Sequence, residues 1–177
     1  MLQKLPVDLS TFSILRTQNY LYVDKTKYAY DLISGGRRFF LARPRRFGKT
    51  LFVSTLKEIL QGNKELFHGL WIAQSDYHWQ PYGLITLDLS AWGINNADTL
   101  TSSLKKALIQ VMSEYKLETI INHEAPEHLL HDLVRALKSK FGRVAILIDE
   151  YDNPILHTLR NQERAQEIRD GIGRFFT

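Results

Sequence analysis

Cysteine is absent from these 177 residues, which removes disulfides and cysteine-ligated zinc or iron–sulfur centres and fits a reducing compartment. No segment approaches the roughly 18 apolar residues of a membrane-spanning helix. At the N-terminus, Pro6 and Asp8 interrupt MLQKLPVDLSTFSILR before an apolar run long enough for a signal sequence develops. Internal repeats and low-complexity stretches are missing as well. These absences predict one domain over residues 1–177, cytoplasmic and without a membrane role, long enough to bury a core unaided.

Charge is scarce in one sense only: the net excess is +4, and it is unevenly placed. Between Lys25 and Thr50 stand eight Lys/Arg (25, 27, 37, 38, 43, 45, 46 and 49) against one acid, Asp31. That local excess is larger than the whole-chain value, so the remainder is net acidic. Cations gathered around a Pro/Gly turn point to a polyanion site rather than a solvated helix face.

The apolar pattern alternates between the two regular periods. YVDKTKYAYDLI predicts a short helix capped by Asp24, with Tyr28, Leu32 and Ile33 on one face and Gly35-Gly36 at its end. RRFFLA follows as a short buried strand. Leu51, Phe52, Thr55, Leu56, Ile59 and Leu60 recur at helical spacing, closed by Gly62. GLITLDLSAW reads as a second strand. Leu100 to Met112 and Pro126 to Leu137 read as amphipathic helices, the latter with proline at its first position. RVAILIDEYD is an apolar run closed by acids, the pattern of a strand covered on both faces. Ala165, Ile168, Ile172 and Phe175 predict a last helix, weakened by Gly171 and Gly173. Strands alternating with such helices predict an α/β three-layer sandwich with a mostly parallel sheet.

Two separated motifs suit one chemistry. LARPRRFGKTLF ends as a phosphate loop does, in Gly48-Lys49-Thr50, but Arg43 holds the place of the leading glycine and Pro44 follows it. Backbone N–H groups opening the next helix would face phosphates, Lys49 would reach the β- and γ-phosphates, and the Thr50 hydroxyl would ligate Mg²⁺. In VAILIDE, Asp149 would hold that magnesium and Glu150 would polarise an attacking water. Gly-Lys-Thr alone recurs by chance, and VAILIDE alone can be a core strand leading into a polar loop. Both together, in this order, favour ATP with Mg²⁺ and an ATPase reaction using Lys49 and Glu150. The guanine-reading N-K-x-D pattern is missing. The loop chemistry also has a cost: a Cβ at position 43 restricts the turn and Pro44 removes one N–H, while guanidinium groups bind phosphate oxygens bidentately in compensation.

Phe12 to Arg16, YVDKT, RPRRFGKT, FHGLWI and LIDEYDNPI together resemble the AAA-ATPase-like family of bacterial proteins, nearly end to end. The resemblance implies a P-loop NTPase fold, with the phosphate site on Arg43, Arg45, Arg46, Gly48, Lys49 and Thr50 and the metal and water site on Asp149 and Glu150. Family members often carry a C-terminal restriction-nuclease-like domain, for which this length leaves no room. The acid pair also resembles P-loop ATPases in which a later strand lies between the phosphate-loop strand and the Asp149 strand. On that likeness 1–177 would be the N-terminal portion of a domain, truncated before its later strands, and Phe39–Leu41 and Ala145–Ile148 would flank a gap or pair in a non-native way. The rival, kinase-like topology sets those strands side by side.

Other candidates carry less. HEAPEHLLHD gathers His123, Glu124, Glu127, His128, His131 and Asp132 but lacks H-E-x-x-H spacing, and its acids suit a helix start. Asp24-Lys25 is either a cap with its neighbour or part of the nucleotide pocket. Trp71, Trp79 and Trp92 lack an interleaved basic stripe and read as core packing rather than base-stacking residues. The rival to an ATPase is a nucleotide-gated or scaffolding module that meets a protein or nucleic-acid partner through its arginine-rich edge.

Overall fold

The computed structural model describes residues 3–36, 38–44, 46–90, 92–117 and 125–176. They fall into two compact units, Met1–Tyr82 and Gly83–Thr177.

The first unit is helical and is built around one helix. α1 (Phe12–Thr17), α2 (Thr26–Gly35) and α3 (Lys49–Leu60) are followed by two 3₁₀ turns, Lys64–Phe67 and Trp71–Gln74. Its core holds Phe12, Leu15, Ala29, Ile59, Phe67 and Ile72, each fully buried. Phe12 stacks on Phe67 with centroids 4.7 Å apart and meets Tyr22 edge-on at 5.0 Å. The Phe12 N–H donates to Ser54 Oγ at 2.9 Å, which fastens the start of α1 to the middle of α3. The Arg16 guanidinium donates to the carbonyls of Leu66 and His68, pinning the first 3₁₀ turn. Gly62 ends α3 as its position suggests: its φ is +79°, and an added Cβ would lie 2.9 Å from the Trp79 carbonyl oxygen.

In α2, which packs on the Trp71–Gln74 turn and α3, Thr26 and Ala29 are buried and Tyr28 is 66% exposed. One expectation fails in this unit. Residues 38–44 form no strand, and Phe39 and Phe40 are exposed. A strand exists only through a hydrogen-bonded neighbour, and among the described residues this unit offers no second strand beside it.

The second unit carries the sheet. β1 (Gly83–Asp88) and β2 (Val144–Asp149) pair in parallel, with Gly83 opposite Val144 and Asp88 opposite Asp149. Between them run α4 (Ala97–Glu114) and α5 (Pro126–Phe141); α6 (Asn153–Thr158) and α7 (Gln162–Phe175) follow. Asn96 and Thr99 form a reciprocal capping box on α4, and Pro126 opens α5. Ile85, Leu87, Leu104, Leu108, Leu133 and Ile168 belong to one core that joins α4, α5 and α7 to the β1 face. Gly83 is required there, since a Cβ would come within 2.7 Å of Leu137 Cβ.

The two edges of this pair differ. Tyr115 places its hydroxyl against Leu84, accepting from the N–H at 2.9 Å and lying 3.3 Å from the carbonyl oxygen. A side chain thus stands where a further strand would bond β1. On β2, Ile146 is 37% exposed while its register partner Ile85 is fully buried. The expectation that the RVAILIDEYD strand is covered on both faces is therefore not met at Ile146 among the described residues. What is present is a mixed helix-and-strand chain of α/β character with one small parallel pair.

Candidate functional site

The arginine-rich loop runs into α3 through a left-handed glycine. Gly48 sits at φ +75°, the left-handed region, and is the N-cap of α3; its carbonyl accepts the Phe52 N–H at 2.9 Å. The first N–H groups of a helix have no partner within it, so Lys49, Thr50 and Leu51 present donors at the positive end of a 12-residue helix dipole. Arg46 also adopts a left-handed conformation, at φ +65°, without being glycine. Two left-handed residues, Arg46 and Gly48, thus precede α3. Lys49 Nζ donates to the Arg43 carbonyl oxygen at 2.9 Å, so the ammonium lies back across the loop. Arg43, Arg46 and Thr50 are exposed, and Arg45 lies outside the described residues.

YVDKT resolves into separate duties. Asp24 Oδ1 accepts from the Thr26 N–H and hydroxyl at 2.8 and 2.7 Å, and Oδ2 accepts from the Trp71 N–H at 2.7 Å. Thr26 Oγ1 in turn accepts the Ile72 N–H at 3.1 Å. The slight burial of Asp24 raises its pKa, but the Trp71 and Thr26 bonds and the field of Arg16 outweigh this and hold it below the usual carboxylate value. Asp24 is thus a brace between the α2 start and the Trp71–Gln74 turn. Lys25, its neighbour, instead lines a cavity of about 230 Å³ together with Tyr22, Gly48, Leu51 and Phe52.

In the second unit, Asp149 is buried at the carboxyl end of β2 and its Oδ1 accepts the Glu150 N–H at 3.0 Å. Glu150 is left-handed, at φ +51°, which turns the chain sharply off the strand. The Glu150 carbonyl accepts the Asn153 N–H at 3.0 Å, and Asn153 Nδ2 donates to the Ser90 carbonyl at 2.8 Å. Asn153 thereby ties the acid turn to the segment leaving β1. Asp88, the register partner of Asp149, spends Oδ1 on the Ser90 N–H at 2.9 Å.

The motif residues are therefore gathered in two places, Arg43 to Thr50 around the α3 start and Asp149-Glu150 at the β2 tip. Sequence reasoning missed Asn153 as a positioning residue and the cavity wall at Tyr22, Leu51 and Phe52. Asn153 was within sight in LIDEYDNPI; the wall has no pattern, because it joins separate segments. His123 and Glu124 lie outside the described residues. Among the described residues, no group of three or more His, Cys, Asp or Glu could hold a metal ion, and no helix is long and apolar enough to cross a membrane.

A family model described as predicted AAA-ATPase matches residues 6–177. An uncharacterized protein in the vnfD 5' region of Azotobacter chroococcum mcd 1 is 36% identical over 178 residues. The alignment covers 99% of this chain and 34% of that protein, so the chain spans about a third of its relative's length. No solved structure matches.

Proposed function

The chain belongs to the predicted AAA-ATPase family, and from that premise we propose that it is the Mg-ATP-binding part of a P-loop ATPase of the three-layer sandwich type, acting in the cytoplasm. Membership of the family implies a nucleotide-binding, ATPase-like function. The observation that carries the finer reading is the left-handed Gly48 directly before α3, which opens that helix's first N–H groups onto a loop of cations.

In this reading the first turn of α3 and the Lys49 ammonium bind the β- and γ-phosphates, and Arg43, Arg45 and Arg46 replace the backbone donor lost at Pro44. An arginine already in the loop also stands ready to neutralise transition-state charge. The Thr50 hydroxyl and the Asp149 carboxylate are hard oxygen donors of the kind magnesium takes. Asp149 has one oxygen engaged by its own turn and a second to offer. Magnesium, when bound, would supply charge neutralisation on the phosphate oxygens. Glu150 accepts a proton from the attacking water and orients it, its strained backbone held by the Asn153 bond to the Glu150 carbonyl. Hydrolysis of ATP is the reaction this reading assigns.

A titration with ATP and GTP, with and without Mg²⁺, tests the reading. Magnesium-dependent affinity for ATP that is lost in Lys49→Ala supports it; affinity unchanged by that substitution overturns it. A second reading has its own observation: Phe39, Phe40 and Phe47 are exposed beside the exposed Arg43 and Arg46. Such a mixed surface suits a scaffolding module gripping a protein or nucleic acid. Binding of that partner independent of ATP and of Lys49 would favour it.

A further inference from the structure

We propose that β2 is an open sheet edge on which a second copy of this chain docks, the two β2 strands pairing antiparallel about a two-fold axis through Ile146. The inference goes beyond the nucleotide reading and does not depend on it.

The two edges of the strand pair are unlike. At the outer edge of β1, the Tyr115 hydroxyl accepts the Leu84 N–H at 2.9 Å, which closes that edge to a further strand. β2 carries no such guard. The Gly83 N–H donates to the Arg143 carbonyl at 2.9 Å and the Leu89 N–H to the Asp149 carbonyl at 3.1 Å, so Arg143 and Asp149 face β1. Backbone groups alternate sides along a strand, and Val144, Ile146 and Ile148 therefore turn their N–H and C=O groups away from β1. Among the described residues nothing bonds to these groups. β1 and α5 pack against β2, yet Ile146, in the middle of the strand, stays 37% exposed. Exposed edges are ordinarily guarded by a charge, a proline or a bulge, and Val144 to Ile148 supply neither charge nor proline.

Self-complementarity favours a second copy over a strand of another kind. Antiparallel pairing centred on Ile146 sets Ile146 against Ile146 and Val144 against Ile148 on either side. These are the residues whose N–H and C=O groups point outward, so each pair is a hydrogen-bonded one. Ala145 meets Leu147 between them, apolar on apolar. One step further out, Arg143 of each copy stands opposite Asp149 of the other, so unlike charges flank the strand at both ends. Centring on Leu147 instead would set Asp149 against Ala145 and Arg143 against Tyr151, forfeiting the charge match. The contact is also closed: each β2 edge satisfies the other, and Tyr115 stops further growth at the β1 edges.

Sedimentation of the 177-residue chain over a concentration series tests this, with a monomer–dimer equilibrium as the expected result. Ile146→Lys and Ile146→Glu each place like charges on the axis and should weaken the dimer at least about tenfold; an equimolar mixture of the two should restore it. Because the chain lacks cysteine, Ile146→Cys supplies one thiol per copy. Residues facing across the axis have Cα atoms about 5.5 Å apart, within disulfide reach. Mild oxidation should therefore link Ile146→Cys chains in pairs and leave a Lys106→Cys control, on exposed α4 surface, unlinked. This variant decides the matter if the charged ones lose cooperative thermal unfolding. A parent that stays monomeric, a dimer that survives in both charged variants, or no more linked dimer from Ile146→Cys than from the control overturns the proposal. Slow amide exchange at Ile146 in a monomer would give the edge to a different strand and overturn it as well.

Discussion

The Lys49 ammonium and the Arg43 carbonyl oxygen, six residues apart in sequence, are joined at 2.9 Å across the turn. The residue that replaces the usual leading glycine thus contributes through its backbone, whatever its side chain does. A carbonyl is a neutral acceptor, so a phosphate oxygen arriving at the α3 start would offer Lys49 a stronger, charge-assisted partner in its place.

Lys49→Ala should therefore lose ATP affinity steeply while barely affecting the fold. Removing a cation that pairs with phosphate in a partly desolvated site costs about 2–5 kcal/mol. The bond to Arg43 is exposed, so thermal unfolding should stay within a few degrees of the parent. Calorimetric titration beside a melting curve checks both halves, and parental affinity in the variant would remove Lys49 from the site.

Glu150 combines strain with chemistry, and two substitutions separate them. Glu150→Gln should keep ATP binding and abolish any ATP turnover. Glu150→Gly should also abolish turnover but stabilise the fold by about 1 kcal/mol, because a left-handed non-glycine residue costs on that order. Urea unfolding of both variants is the measurement; a Glu150→Gly variant no more stable than Glu150→Gln contradicts the strain.

Arg46→Lys should weaken ATP binding by about tenfold at equal charge, since an ammonium cannot reproduce a bidentate fork. Unchanged affinity would place the Arg46 side chain outside the phosphate site and shift weight to the partner-binding reading.

Asp24 governs acid behaviour through the brace. Its pKa is held low in the folded chain, so its contribution to stability is fully present above the unfolded value, about 3.9. That contribution fades as pH falls through the lower, folded value. Asp24→Asn should flatten this part of the stability profile and cost about 1 kcal/mol at neutral pH, a hydrogen-bond figure kept small by solvent exposure. Denaturant melts between neutral and strongly acid pH compare the two; parallel profiles would remove Asp24 from the brace.

Several elements were legible in advance because their burial is periodic. α4, α5 and α7 each set apolar residues on one stripe, and β1 is an apolar run ended by an acid, so local pattern and final packing agree there; β2 is an apolar run as well, but its Ile146 stays exposed. α1 and α6, six residues each, are too short for a period to register. The expected strand RRFFLA shows the opposite failure: its residues suit a strand, but a ladder needs a neighbour, and local pattern cannot supply one.

For the candidate site, sequence by itself determined the residue types and the turn. Gly48 can take the left-handed conformation that opens α3, and Lys49, Asp149 and Glu150 bring charges whose chemistry depends on no neighbour to be recognised. Only tertiary structure decided which residues of YVDKT brace and which line a cavity, since Asp24 finds Trp71 and Lys25 shares a wall with Phe52 across long stretches of chain. Hydrogen bonds and walls made between distant segments depend on how the chain is brought together, and that information is spread over every contact rather than written at any one position.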